Sequence, residues 1–298
     1  MVMKKIKERI LSGDILVSDG AWGTILHSKG LKMGECPEKW NIDHRADVLD
    51  IAKSYVGAGA DMIETNSFGG SKFKLEYFGL DQKVSEVNKA AAEISREAAG
   101  NNVYVLGSVG PTGKIIMTGD ITLEELYDCF KEQVEALESG GADAILLETM
   151  FDLEEAKCGI RAAKENTSCE VICTMTFDGN DNIGFHTMMG TTPEVAAESL
   201  IEAGADIIGA NCGIGIENMV AITRQIRLVD KKIPILIQAN AGLQNIIDGR
   251  AVFPETPDYI AKWIRPLIIA GANIIGGCCG TTPEYILKIV EVVRKSKS

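Results

Sequence analysis

Residues 276–283 read GGCCGTTP and set two adjacent cysteines, Cys278 and Cys279, between glycines and a Thr-Thr-Pro turn. A third, Cys212, sits in ANCG at residues 210–213. Three thiolates with one open coordination position describe a zinc site of the catalytic type, because structural sites fill all four positions. Sulfur ligands select zinc over magnesium, and a thiol that joins them loses its proton. A free thiol of pKa about 8.5 is only a few per cent ionised at neutral pH, so such a site suits alkylation of a thiol substrate. Neighbours on a regular strand face opposite ways, and Cys278 and Cys279 can share a metal only where the strand breaks. Gly276, Gly277 and Gly280 permit that break and a close backbone approach. Two readings compete: the vicinal pair as an unreactive filler of a tight turn, and a glycine-rich loop that holds phosphate. Thiolate neighbours would repel a phosphate. Cys36, Cys129, Cys158, Cys169 and Cys173 lie singly on apparent helix and strand patterns and read as inert thiols.

Composition bounds what can position these thiols. The chain has 298 residues, 46% of them hydrophobic, enough for one large barrel or two ordinary domains. Its formal charge of -12 leaves no basic stripe for phosphates, which argues against a nucleic-acid partner. The start, MVMKKIKERILSGDILVSDG, is charged and amphipathic, unlike a secretory signal, and no apolar run reaches membrane-spanning length. The expected setting is the cytoplasm, where a reducing environment keeps the eight cysteines free of disulfides.

A phrase recurs along the chain: GADMIETN from Gly59, GADAILLETM from Gly141, GADIIGANC from Gly204 and GANIIGGCC from Gly271. Each reads as a helix end, a turn and a buried strand. The helical segments before them include LEELYDCFKEQVEALESG, whose apolar residues recur at three and four. Four more apolar runs alternate with these phrases: ILVSDGA from Ile15, VYVLGSVGP from Val103, VICTMTF from Val171 and IPILIQANAG from Ile233. Strands this apolar are covered on both faces, as in parallel sheets. Eight strand-helix units, arranged in pairs, predict a single (β/α)8 barrel over residues 1–298, with no linker or low-complexity segment. The alternative, a doubly wound open sheet, lacks a Gly-x-Gly-x-x-Gly turn.

Reactive groups of such a barrel collect at the C-terminal ends of the strands. Those tips carry Asp19, Asn66, Glu148, Asn211 with Cys212, Asn240, and Cys278 with Cys279. No lysine or histidine is among them, which argues against Schiff-base and histidine acid-base chemistry. Cys212 ends the sixth strand and the vicinal pair the eighth, so all three can point at one spot above the core. Two carboxylates at facing tips, Asp19 and Glu148, suit an ammonium group, although each also reads as an ordinary hydrogen-bonding strand end.

The chain resembles the homocysteine S-methyltransferase family, the homocysteine-binding barrel of cobalamin-dependent methionine synthase and betaine-homocysteine methyltransferase. The resemblance runs through DGAWGT at 19, ETNSFGG at 64, GSVGPTG at 107, LLETM at 146, ANCG at 210, NAG at 240 and GGCCGTTP at 276. It implies that Cys212, Cys278 and Cys279 bind Zn2+ and carry catalysis, with the homocysteine sulfur as fourth ligand. It implies that Asp19 and Glu148 contact the amino acid, with the amides around Gly20 and Ala21 near its carboxylate. Asn240 matches a residue that completes the zinc shell while homocysteine is absent; it also reads as a turn residue capping the seventh strand.

The function so implied is methyl transfer to homocysteine, giving methionine. The donor implied by ETNSFGG and GPTG is a methyl-corrinoid on a separate protein, since the chain stops at Ser298 without room for further domains. Betaine and S-methylmethionine are alternatives, and a betaine pocket would favour aromatic faces, of which only Trp22 and Phe68 lie near strand tips. A methylotrophic or acetogenic corrinoid system with another acceptor is a further reading, as is a non-enzymatic zinc-binding regulatory or docking barrel. In GFHTMMGTTPE, from Gly184, Met188 and Met189 either line the donor side or pack the loop, and His186 reads as exposed rather than a ligand.

Overall fold

Each Gly-Ala-Asp or Gly-Ala-Asn phrase does the same structural work. Its glycine, at 59, 141, 204 or 271, has a φ of 92°, 104°, 95° or 113°, the left-handed turn that ends a helix and starts a strand. The computed structural model describes residues 3–180, 184–247 and 250–295; the rest of the 1–298 span assigned to one domain lies outside the described residues. Eight parallel strands follow in chain order: β1 (Leu16–Val17), β2 (Met62–Glu64), β3 (Tyr104–Val109), β4 (Ala144–Met150), β5 (Glu170–Met175), β6 (Ile207–Gly215), β7 (Ile235–Asn240) and β8 (Ile274–Gly277). They form one sheet in the order β1-β8-β7-β6-β5-β4-β3-β2.

The acidic or amide residue of each phrase grips the preceding strand twice. Asp143 donates its N–H to Val105 O at 2.8 Å and accepts the Val105 N–H on Oδ2 at 2.8 Å. Asp61 does this to Val17, Asp206 to Val171 and Asn273 to Ile235, all at 2.7–3.0 Å. The strands are thereby pinned in pairs, which is the physical content of the repeat. At the two ends of the sheet order, the Asp61 bonds and a 2.8 Å bond from the Glu64 N–H to Asp19 Oδ2 tie β1 to β2 and draw the sheet into a nearly closed barrel. Basic side chains brace these residues: Arg96 on Asp143, Lys164 on Asp206 and Arg227 on Asn273. Asp143→Ala should strand the Val105 N–H and lower stability by about 2 kcal/mol, a loss measurable by urea unfolding with the barrel circular-dichroism spectrum retained.

An outer helix follows each strand, from Arg45–Gly57 after β1 to Pro283–Lys295 after β8. Their starts are written in the sequence. Thr122 and Glu125 form a reciprocal capping box, and Thr192 and Thr256 each cap a helix whose first residue is proline. Among the described residues, no helix is long and apolar enough to cross a membrane.

The barrel interior has an apolar floor. Leu16, Met62, Leu106, Leu146, Ile172, Ile207, Leu236 and Ile274, one per strand, pack together with Ile6 and Ile10 of the short helix Ile6–Leu11, which plugs the N-terminal mouth. Side chains on a strand return to the same face every second residue. Two positions further along each strand, the interior residue is Ser18, Glu64, Ser108, Glu148, Thr174, Gly209, Gln238 or Gly276. The interior therefore changes from apolar to polar in one layer, directly beneath the C-terminal mouth.

Candidate active site

Strand breaks bring the thiols together. On β6 the pairing with β7 shifts between Asn211 and Gly215, and Cys212 takes a left-handed φ of 59°. On β4 the pairing with β5 shifts between Leu147 and Met150, with Thr149 at φ 58°. Non-glycine residues hold this conformation at a cost of about 1–3 kcal/mol, and they persist where the surroundings over-determine them. Asn211 does so here: its Oδ1 accepts the Thr149 N–H and its Nδ2 donates to Thr149 Oγ1, both at 2.8 Å. One amide thus clamps both bulges.

At the end of β8 the chain turns sharply. Thr281 donates its N–H and hydroxyl to Cys278 O, Asn240 Oδ1 accepts the Cys279 N–H at 3.1 Å, and Ala241 donates to Cys279 O. Gly280 has φ +81°, and a Cβ on Gly276 would overlap the Ser18 hydroxyl, so both glycines are needed by the backbone. The Cys212, Cys278 and Cys279 sulfurs lie within 4.8 Å of one another, with Cys212 and Cys279 Sγ 3.9 Å apart. Tetrahedral zinc with Zn–S near 2.3 Å places sulfurs about 3.8 Å apart, so the donor set fits that metal. Cys212 is pulled down to about 3 by the Cys278 thiol and then the Cys279 thiol, while Cys279 is pushed up to about 12, chiefly by Cys212.

Beside the sulfurs lies a cavity of about 400 Å³, in the range of small-molecule sites. Glu64 and Glu148 line it, while Asp19 is fully buried behind Glu64 and does not itself line the cavity. Asp19 Oδ2 accepts the Glu64 N–H and the Trp22 indole N–H at 2.8 and 2.9 Å, while its buried Oδ1 has no partner. Ser108 donates to Glu148 Oε1, and Asn211 Nδ2 to Oε2 at 3.3 Å. Gln238 donates to Glu64 Oε1 at 2.5 Å. Burial pushes Asp19 and Glu148 each up to about 7, with the Ser108 hydroxyl pulling Glu148 the other way. Burial lifts Glu64 well above the carboxylate range, reinforced by Glu148 and then Asp19.

The sequence reading placed Asn66 at the β2 tip, and it does line the cavity there, its Nδ2 donating to Pro37 O and Asn41 Oδ1 and tying down the preceding loop. The inward carboxyl of β2 is Glu64, which that reading omitted along with Ser108 and Gln238. The two-residue spacing from the apolar floor would have found all three. Gly20 and Ala21 line the cavity, although the Ala21 N–H is engaged by Thr281. Met188 and Met189 are 70% and 39% exposed, and neither lines the cavity. His186 is half-buried, its Nδ1 3.1 Å from Thr187 O.

The sequence profile described as "Homocysteine S-methyltransferase" matches residues 16–293. The chain belongs to that family. It is similar to the methionine synthases of Mycobacterium tuberculosis and Mycobacterium leprae, each 30% identical, over 97% and 96% of this chain. The chain spans about a quarter of the length of those relatives. Among solved structures, the metallated form of the homocysteine methyltransferase MmuM from Escherichia coli has a similar fold, with a TM-score of 0.78 and 24% identity over 97% of this chain and 98% of that one. A methyltransferase from Methanosarcina mazei covers 99% of this chain at a TM-score of 0.64 and 11% identity.

The raised carboxyls predict a pH dependence for this family member. A folded-state pKa near 7, against an unfolded value of 3.8 or 4.5, contributes stability that is complete below the unfolded value and lost as pH rises through 7. Metal-free protein should therefore melt lower at pH 8 than at pH 5.5, by roughly 2–4 °C for each kcal/mol lost. Glu148→Gln should flatten that slope in calorimetric scans.

Proposed function

We propose that this barrel transfers a methyl group to the sulfur of homocysteine, giving methionine, with Zn2+ held by Cys212, Cys278 and Cys279. The observation that carries the reading is the placement of three clustered sulfurs beside carboxyls that have no cationic partner. A zinc store has no use for a carboxyl-lined amino-acid pocket. In the reaction, Asp19 and Glu148 bind the substrate ammonium, and the buried, unpartnered Asp19 Oδ1 is an acceptor suited to one of its N–H groups. Amides near Gly20 face the substrate carboxylate. This anchoring orients the substrate sulfur toward the cysteines, worth far more than binding alone because the reacting geometry is preset. Zinc, when bound, supplies the Lewis acidity that keeps a thiol ionised at neutral pH. The substrate sulfur then forms its bond to the methyl carbon as the donor's bond to that carbon breaks, and the electron pair leaves with the donor. Asn240, whose Oδ1 accepts the Cys279 N–H, would be the residue to complete the zinc shell before homocysteine enters.

The donor is proposed to be a protein-bound methylated corrinoid. Supporting this, among the described residues the cavity lining offers no aromatic cage for a quaternary ammonium donor: Trp22 is buried against Asp19, and Phe68 is a half-exposed rim residue. Calorimetric titration of zinc-loaded protein with L-homocysteine and with 2-mercaptoethanesulfonate, in two buffers, tests the acceptor. Binding of homocysteine with release of a proton, and none of the sulfonate thiol, supports the reading; no binding of homocysteine at full zinc occupancy removes it.

A further inference from the structure

The Thr-Thr-Pro after the vicinal cysteines, read from the sequence as a turn, carries a buried hydroxyl that the proposed reaction leaves without a task. Thr281 is fully buried, and its side chain joins two segments 260 residues apart. Toward the cysteines, its hydroxyl donates to Cys278 O at 2.7 Å. Toward β1, the same oxygen accepts the Ala21 N–H at 3.2 Å. A hydroxyl has one proton to give and lone pairs to receive, so both bonds form at once. Backbone bonds run beside them: Thr281 donates its N–H to Cys278 O at 3.1 Å, Ala21 donates to Thr281 O at 3.2 Å, and Gly277 donates to Asp19 O at 2.9 Å. Tyr55, from the helix Arg45–Gly57, closes the junction from behind, its phenol donating to Ala21 O at 2.7 Å and reaching Thr281 O at 3.4 Å. A Cβ on Gly20 or on Gly277 would overlap Thr281 Oγ1, so glycine on both sides makes room for this one side chain.

We propose that Thr281 is a positioning residue: its hydroxyl locks the cysteine turn to the β1 loop, so that the sulfur and the amino-acid end of the substrate are held in one frame, with Tyr55 bracing the same junction. The two segments have different tasks in the proposed reaction. Residues 278–279 supply sulfurs, and residues 19–21 are assigned the amino-acid end. A substrate held at both ends is sensitive to the offset between them, and a misplacement of about 1 Å costs up to about a hundredfold in rate. The proposal rests on the homocysteine reading for what the two segments bind, but the junction itself does not.

Thr281→Val keeps the shape of the side chain and the backbone bonds but removes the hydroxyl, while Thr281→Ser keeps the hydroxyl. In zinc-loaded protein, L-homocysteine affinity should fall at least about fivefold for Thr281→Val and stay within about twofold for Thr281→Ser, with zinc content unchanged in both. Unchanged affinity in Thr281→Val would overturn the proposal. An equal loss in Thr281→Ser would trace the effect to shape rather than to the hydroxyl, and zinc lost together with homocysteine would confine Thr281 to the cysteine turn; either defeats the inference. If Thr281→Val does not fold, Tyr55→Phe decides: loss of the phenol should weaken homocysteine binding at full zinc, and unchanged binding counts against the junction. Hydrogen exchange of the Ala21 amide, followed by NMR without ligand, is a second readout and should speed up at least about threefold in Thr281→Val but not in Thr281→Ser. If the unaltered protein binds no homocysteine, the proposed function falls on that result and Ala21 exchange alone decides Thr281; equal rates in Thr281→Val and the unaltered protein sink the inference.

Discussion

Cys279→Ala is expected to reduce bound zinc from one equivalent to a small fraction and methyl transfer by at least about a thousandfold. The estimate has two parts. Without the metal, a thiol of pKa about 8.5 is only about 3% ionised at pH 7, a loss of roughly thirtyfold. Losing the fixed position of the sulfur relative to the methyl carbon removes roughly another hundredfold. Metal analysis after dialysis, with initial rates at saturating homocysteine, checks both. Full activity in a zinc-free variant would rule out the role proposed for the three sulfurs. The fold should survive, because Cys279 supplies the turn through its backbone: its N–H to Asn240 and its carbonyl to Ala241. Alanine keeps both bonds.

Glu148→Ala should produce the converse result, intact zinc and weakened homocysteine binding. A charge-assisted hydrogen bond contributes about 1.5–3 kcal/mol, equivalent to roughly 10- to 100-fold in dissociation constant. Titration calorimetry measures the affinity and metal analysis the zinc. Unchanged affinity would favour a zinc-binding scaffold over an enzyme. The substitution also leaves Ser108 and Asn211 without their acceptor. Since Asn211 clamps the bulges of β4 and β6, some of the loss will come through misplacement of Cys212, and Glu148→Gln separates the two effects by keeping an acceptor oxygen.

Much of this was legible in the chain itself. The Gly-Ala-Asp phrases marked four strands and their pairing because one local device, a left-handed glycine followed by an aspartate that grips the previous strand, must be written out each time it is used. The cysteines were legible because few buried settings call for adjacent thiols between glycines. Both signals lie within a few residues, where sequence and geometry are nearly the same thing. Glu64 is the contrary case. Its neighbour Asn66 was read at the same strand tip; Asn66 also lines the cavity, but its amide is spent on Pro37 and Asn41, whereas the inward carboxyl is Glu64.

Which residues of β2 face inward depends on the register of the whole barrel, and that is set by contacts among all eight strands. The sequence determined the repeat, the number of strands and which three cysteines cluster, through local backbone requirements. Only the tertiary structure decided that β4 and β6 bulge together at Asn211, and that Glu64 lines the cavity beside Glu148 with Asp19 bonded behind it. Those features join residues 62 and 45 positions apart, Asn211 with Thr149 and Asp19 with Glu64, whose proximity no local pattern encodes.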